Sequence, residues 1–258
     1  MTHFNLSKKV VLVAGGAGYL GTPTCRMLAD QGATVVIADF AIERAESLAS
    51  EIVSGGGKAH AVQLDAGDEN SSKEVVSDTV SKYGRLDVLV NATCKSIGKS
   101  VDDLTAEEFD QANRVNVTGT FVLAREAART MPSGGSIVLF SSMYGLVSPD
   151  PRAYHPPMNP NPIEYGVAKA AIVQMAKYLA VAWGTKGIRV NAIAPGPFPN
   201  HAVQQEHPAF VQRLAEKVPL RRIGRNNEIA GTVVFLASDE SSYMSGQTLS
   251  VDGGWTAW

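Results

Sequence analysis

The sequence predicts an α/β fold: a doubly wound parallel sheet of seven strands with helices on both faces, in a single domain. Three features point to it. Short β-branched runs alternate with helical patterns from end to end, the order that builds parallel sheets through crossover helices. A glycine cluster, Gly15, Gly18 and Gly21, falls where the first strand turns into the first helix. The chain of 258 residues, 45% apolar, is enough for one large core, and it shows no internal repeat or dividing linker.

The elements follow in order. Val10–Ala14 is a β-branched run that reads as a buried strand, followed by the glycines and a helical pattern to Gln31. Thr34–Asp39 is a second buried strand, and 41–54 a helix stopped by Gly55, Gly56 and Gly57. Residues 58–65 form a third strand, Glu69–Tyr83 a third helix and 86–90 a fourth strand. A long helix lies within 105–131, with Thr105 as N-cap and Glu108 completing a capping box. Residues 136–140 are the fifth strand. A helix then starts at Asn161-Pro162-Ile163-Glu164, with Asn161 as N-cap and Pro162 in the first turn, and fades near Gly187. Residues 189–194 are the sixth strand, Pro208–Lys217 and 227–237 are helices, and Thr248–Val251 is a short last strand.

Composition excludes several classes. A formal net charge of −2 gives no field to attract nucleic acid or an acidic membrane. No apolar run reaches the length of a membrane span, and the N-terminal apolar run breaks at glycines as a strand does, unlike a signal peptide. Cys25 and Cys94 offer no disulfide framework and no metal-finger spacing, which fits reduced thiols in the cytoplasm. His201, Glu206 and His207 suit no single helix face, so no metal is expected.

Gly15, Gly18 and Gly21 let backbone amides approach a pyrophosphate at a helix N-terminus. Asp39 ends the second strand, eighteen residues beyond Gly21. A carboxylate there accepts hydrogen bonds from ribose hydroxyls and repels a 2′-phosphate, and Phe40 and Ala41 follow it without a basic residue, so NAD is expected over NADP. Asp65 and Asn91 stand at the carboxyl ends of the third and fourth strands, where ligands bind in open sheets.

Tyr165 and Lys169 are four apart, one helical turn, so they share a face. A free tyrosine, pKa about 10, is a poor base at neutral pH; a nearby ammonium and the positive end of a helix dipole both favour its phenolate. Ser142 ends an apolar strand, and its hydroxyl is placed to hold a substrate oxygen near that phenol.

With these residues in place the chain resembles the short-chain dehydrogenase/reductase family over essentially its whole length, at the size of its classical members. The family's glycine turn matches Ala14 to Gly21, with Ala14 where a threonine is usual. Its adenine-side aspartate matches Asp65, and its Asn-Asn-Ala-Gly segment falls on Asn91-Ala92-Thr93-Cys94, keeping only the first asparagine. Its catalytic asparagine, serine, tyrosine and lysine match Asn116, Ser142, Tyr165 and Lys169. Its Pro-Gly matches Pro195-Gly196, followed by Phe198 and Asn200 where a threonine is usual, and its closing Val-Asp-Gly-Gly matches Val251 to Gly254. The resemblance implies a Rossmann-like nucleotide site of Gly15, Ala17, Gly18, Tyr19, Leu20, Gly21, Asp39, Asp65, Ala66, Asn91, Tyr165, Lys169, Pro195, Gly196 and Phe198. It also implies the mechanism. Tyrosine as phenolate takes the alcohol proton while hydride leaves for the nicotinamide. Serine steadies the oxyanion, lysine lowers the tyrosine pKa and holds the ribose, and asparagine places a relay water.

Ser142 and Tyr165 are 23 residues apart, roughly twice the gap of typical members. The extra length is a proline-rich insert at 149–162, with six of the thirteen prolines. It is too long for an ordinary connection and should border the active-site mouth. Similar inserts in sugar- and glycan-linked members favour a polar substrate, with Arg152, Tyr154 and His155 as contacts; a rigid surface loop or subunit contact is the competing reading. Residues 197–220 are expected to form the substrate lid. The helix bearing Tyr165 is apolar on nearly every side, which implies a homodimer or homotetramer.

The expected function is NAD-dependent interconversion of a secondary alcohol and a ketone on a sugar- or polyol-like molecule. A 3-oxoacyl-thioester (acyl-carrier-protein) reductase using NADPH is the alternative within enzymes. A catalytically silent nucleotide sensor is the alternative outside them.

Overall fold

The computed structural model describes residues 3–156 and 158–258; Met1, Thr2 and, within the 149–162 insert, Pro157 lie outside the described residues. The strands are β1 (Val10–Ala14), β2 (Thr34–Asp39), β3 (Lys58–Gln63), β4 (Val88–Asn91), β5 (Gly135–Phe140), β6 (Ile188–Pro195) and β7 (Thr248–Val251). They form one parallel sheet in the order β3-β2-β1-β4-β5-β6-β7. Ala14 of β1 sits opposite Ala38 on one side and Asn91 on the other. The strand order reverses between β1 and β4, which opens a crevice beyond their carboxyl ends.

Alternate side chains of each strand go to opposite faces, and both faces are covered. On one face α1 (Gly21–Asp30), α2 (Ile42–Ser54) and α9 (Ala230–Ala237) bring Leu28, Leu48, Ile52 and Val233 onto Val11, Val13, Val35 and Ile37. On the other, α3 (Glu69–Tyr83), α5 (Thr120–Arg129) and α6 (Ile163–Trp183) bring Val76, Leu123, Ile172 and Leu179 onto Leu12, Leu89, Ile137 and Leu139. Each such buried aliphatic side chain stabilises the fold by about 1.5–3 kcal/mol. A third, smaller cluster is built from residues outside the strands: Met143, Tyr144, Ala153, Phe210, Leu214, Val218 and Trp255. It joins the insert to α8 (Pro208–Lys217) and the chain's last residues.

Three expected elements come out differently. The helix over 105–131 is interrupted. α4 (Ala106–Asn113) carries the expected Thr105–Glu108 capping box, a π-helical turn spans Arg114–Gly119, and α5 follows. The turn lies where Gly119 runs against the chain, since a Cβ there would stand 1.9 Å from the Ala66 carbonyl oxygen. Such π turns are frequent at functional sites. At the start of α6, Pro162 rather than Asn161 is the flanking residue and no side chain caps the helix. Glu164 does not close a capping box; it is fully buried and accepts from the Ile97 amide at 2.9 Å. Before α9, residues Asn226–Ile229 form a 3₁₀ turn, so the helix is shorter than 227–237. Among the described residues no helix is long and apolar enough to cross a membrane.

Candidate active site

A cavity of about 900 Å³ occupies the crevice, and Gly15, Gly18, Asp39, Asp65 and Tyr165 are among the residues lining it. Its floor is the glycine turn. Gly15 has φ +73°, a left-handed value open to glycine, and a Cβ there would lie 2.9 Å from the Ala92 backbone. Gly21 is tighter: its Cβ would stand 2.1 Å from the Gly15 carbonyl oxygen. No side chain caps the start of α1; the Thr22 amide donates to the Gly18 carbonyl at 2.9 Å and Pro23 has no N–H, which leaves the Gly21 amide for a ligand. This bare backbone at a helix N-terminus fits the pyrophosphate of a nicotinamide dinucleotide.

The adenosine end is set by Asp39. Its carboxylate accepts from the Ala17 amide at 2.9 Å and the Ala41 amide at 3.1 Å, which fixes its orientation at the end of β2. Ala17 itself is buried and acts through that bond. Asp65 accepts from the Gly67 amide at 2.8 Å in a tight turn beside Ala66. The Arg44 guanidinium also lines the cavity and donates to the Ala17 carbonyl.

At the other end stand the expected catalytic side chains. Lys169 is buried, and its Nζ donates to the Phe140 carbonyl at 2.8 Å, 5.5 Å from the centre of the Tyr165 ring. Ser142 is buried just past the end of β5; its Oγ accepts from the Tyr144 amide at 3.1 Å, and its hydroxyl is near enough to Tyr165 to favour the phenolate. Asn116 spends both ends of its amide on Lys95, accepting from its N–H at 2.8 Å and donating to its carbonyl at 2.7 Å. That pair of bonds ties the π turn to the loop after β4.

Electrostatics corrects one expectation. Burial pushes the Tyr165 phenol above its ordinary value, and the neighbouring Ser142 hydroxyl offsets only part of this. The same burial lowers Lys169. In the free chain desolvation therefore sets the direction of the tyrosine's shift.

Of the expected nucleotide residues, Gly15, Gly18, Tyr19, Leu20, Gly21, Asp39, Asp65, Ala66, Tyr165 and Phe198 line the cavity. Asn91 stands behind the wall: it donates to the Thr120 hydroxyl and accepts from Thr93, and Thr93, Cys94 and Lys95 form the surface instead. Gly196 sits under the Asp252 backbone, 2.4 Å from where its Cβ would be, and is bonded to Val251, so Pro195-Gly196 serves as packed support. Sequence reasoning missed Arg44 and Cys94. Arg44 lies on α2, one turn past the strand end, a reach that only a long side chain folded back toward the turn provides. Among the described residues no three of His, Cys, Asp and Glu gather to hold a metal. His201 instead meets the Tyr19 ring edge-on at 5.3 Å.

Comparison with known proteins adds to this geometry. A family profile described as enoyl-(acyl carrier protein) reductase matches residues 16–256. The chain is 35% identical over 252 residues to the 3-oxoacyl-[acyl-carrier-protein] reductase of Thermotoga maritima, covering 96% of this chain and 98% of that one. It is 36% identical to the cyclopentanol dehydrogenase of Comamonas testosteroni, covering 98% of each. Among solved structures it matches a gluconate 5-dehydrogenase from Burkholderia cenocepacia, in complex with NADP and tartrate, with a TM-score of 0.89 at 28% identity, covering 99% of this chain and 98% of that one.

Proposed function

The chain belongs to the short-chain dehydrogenase/reductase family, and on that premise we propose that it oxidises a secondary alcohol to a ketone, reversibly, with NAD, on a polar sugar- or polyol-like small molecule. As a family member it is an NAD(P)-dependent oxidoreductase acting on CH–OH groups. The observation that carries the reading is Tyr165 lining the dinucleotide-sized cavity, with the Ser142 hydroxyl near it and Lys169 buried one turn along.

Each side chain has a distinct task in this reading. Tyr165 takes the alcohol proton at its phenolic oxygen. Ser142 holds the substrate oxygen and stabilises the negative charge that develops there. Lys169, fixed by the Phe140 carbonyl, keeps a positive charge near the phenol and the ribose. Asn116 holds the loop at Lys95 in place and leads the proton onward from Lys169 through water. Bound oxidised nicotinamide supplies the hydride acceptor and a positive charge that favours the phenolate. That charge matters here because burial alone keeps the phenol protonated.

The Asp39 carboxylate at the adenosine end favours NAD by accepting from ribose hydroxyls and repelling a 2′-phosphate. The Thermotoga relative favours a second reading, reduction of a 3-oxoacyl thioester with NADPH, against which Asp39 weighs. A silent sensor would have no use for the full set Asn116, Ser142, Tyr165 and Lys169. A homodimer or homotetramer is also proposed, since α6 leaves Tyr178 and Val181 at 72% and 84% exposure. The test is calorimetry of NADH and NADPH on wild type and Asp39→Ala. Tighter NADH in wild type, with the preference lost in the variant, supports the NAD reading; equal or tighter NADPH in wild type moves the assignment to the reductase.

A further inference from the structure

The proline-rich insert is the one motif that the shared chemistry does not use, and its tyrosine is held in place from several directions. The Tyr154 ring stacks at a tilt on Phe210 of α8, with centroids 5.1 Å apart. The neighbouring Ala153 carbonyl accepts from Arg213 at 2.8 Å. Asp150, at the start of the insert, is bonded to Arg152 and to Lys217, and Lys217 in turn lies over the Trp255 ring at 5.5 Å. These contacts fasten Tyr154 to α8, so that it is presented from a rigid support. Tyr165 packs against the same cluster as Tyr154. The two phenols are near enough that Tyr154 opposes ionisation of Tyr165.

The Tyr154 and Tyr144 hydroxyls are 2.7 Å apart, and either could donate to the other. A phenol carries one proton and two acceptor lone pairs. Two hydroxyls sharing one hydrogen bond leave one proton over, and among the described residues no second acceptor meets either oxygen. Burial decides which proton that is. Tyr144 is only 8% exposed, and an unpaired donor there would cost its full desolvation. Tyr144 therefore donates to Tyr154. Having accepted from Tyr144, the half-buried Tyr154 hydroxyl keeps its own proton, with no acceptor for it among the described residues.

We infer that Tyr154 is a specificity-determining residue, its hydroxyl donating to a second oxygen substituent, a hydroxyl or carboxylate, on the carbon skeleton that carries the reacting alcohol. This rests on the alcohol-oxidising reading of the same site. It gives that reading a chemical criterion: the substrate bears an oxygen beyond the one that reacts. Arg152, the other expected contact, is turned outward onto Asp150 with its side chain 87% exposed.

Cyclohexanol and cis-1,2-cyclohexanediol test this as a pair, because they share a ring and differ by one hydroxyl. The wild-type enzyme is expected to prefer the diol in kcat/KM. Tyr154→Phe, which keeps the ring on Phe210, should reduce that preference by about tenfold, the upper end for one net hydrogen bond. Most of the loss should fall in KM of the diol, with cyclohexanol unchanged. Tyr144→Phe leaves the Tyr154 proton in place and should change the preference by less than about threefold, within the spread of a neutral hydrogen bond. A wild type with no preference for the diol overturns the assignment. So does a Tyr154→Phe enzyme that keeps the preference or loses activity equally on both probes. Calorimetric binding of each probe to the NADH-loaded protein reads the same preference without turnover. A diol preference in binding with no oxidation of either probe counts against the alcohol-oxidising reading and for Tyr154.

Discussion

At the nucleotide end of the cavity the backbone does the shaping. Gly15 and Gly21 are fixed by contacts that leave no room for a Cβ, α1 begins uncapped, and the Asp39 carboxylate is oriented by two amides. At the end proposed for the substrate, side chains do it. Tyr154 is held by Phe210 and Tyr144, the insert by Lys217 and Arg213, and the whole cluster is one of aromatic and aliphatic groups outside the sheet. Backbone-built sites tolerate almost no substitution at the residues that allow them. Side-chain-built sites can change occupant one residue at a time, which is how one fold serves many substrates.

The sharpest way to break this contrast is Gly21→Ala. Its new methyl must displace the Gly15 carbonyl, at a cost of roughly 3 kcal/mol, so affinity for either dinucleotide should fall about 100-fold. Calorimetry checks it; an affinity within a few fold of wild type would mean that the turn yields easily. A second effect links the two ends through pH. Burial raises the Tyr165 phenol, so the proton-accepting form is scarce at neutral pH and grows as pH rises. The rate of alcohol oxidation at limiting substrate should rise by about tenfold per pH unit until the phenol is ionised, whereas ketone reduction, which needs the protonated phenol, should stay flat over that range. An oxidation rate that is level from neutral upward would remove Tyr165 as the group that limits it. The smallest effect belongs to the insert. Asp150→Asn weakens the tie to Lys217, and the partly exposed pair is screened by solvent. KM for the alcohol should rise about threefold, with kcat and dinucleotide binding unchanged, as expected of a residue that only positions a substrate contact. Steady-state kinetics beside calorimetry separates the two.

The same contrast explains what was legible in the sequence. The seven strands, their parallel direction and the glycine turn follow from β-branched runs, their alternation with helices, and glycines whose spacing has a steric reason. Tyr165, Lys169 and Ser142 stood out as a pattern at strand and helix ends, whereas Asn116 entered only through the family resemblance. The π turn at Arg114–Gly119 was not, because it depends on Gly119 pressing against Ala66, a residue far away in the chain. Asn161 looked like a cap, yet the helix starts at Ile163 because Glu164 is drawn to the Ile97 amide. Arg44 and the Tyr144–Tyr154 pair were out of reach for the same reason: tertiary packing places their side chains, and no local periodicity records it. The direction of the Tyr165 shift was misread because burial cannot be read from a spacing of four residues.

The most direct test of the central claim is Tyr165→Phe, assayed for NAD-dependent alcohol oxidation and for NADH binding on the same preparation. The account predicts that kcat falls by about 10²–10⁴-fold, the range for a lost general acid–base, while the NADH affinity stays within a few fold of wild type. A variant that still turns over at near the wild-type rate while binding NADH normally would contradict it.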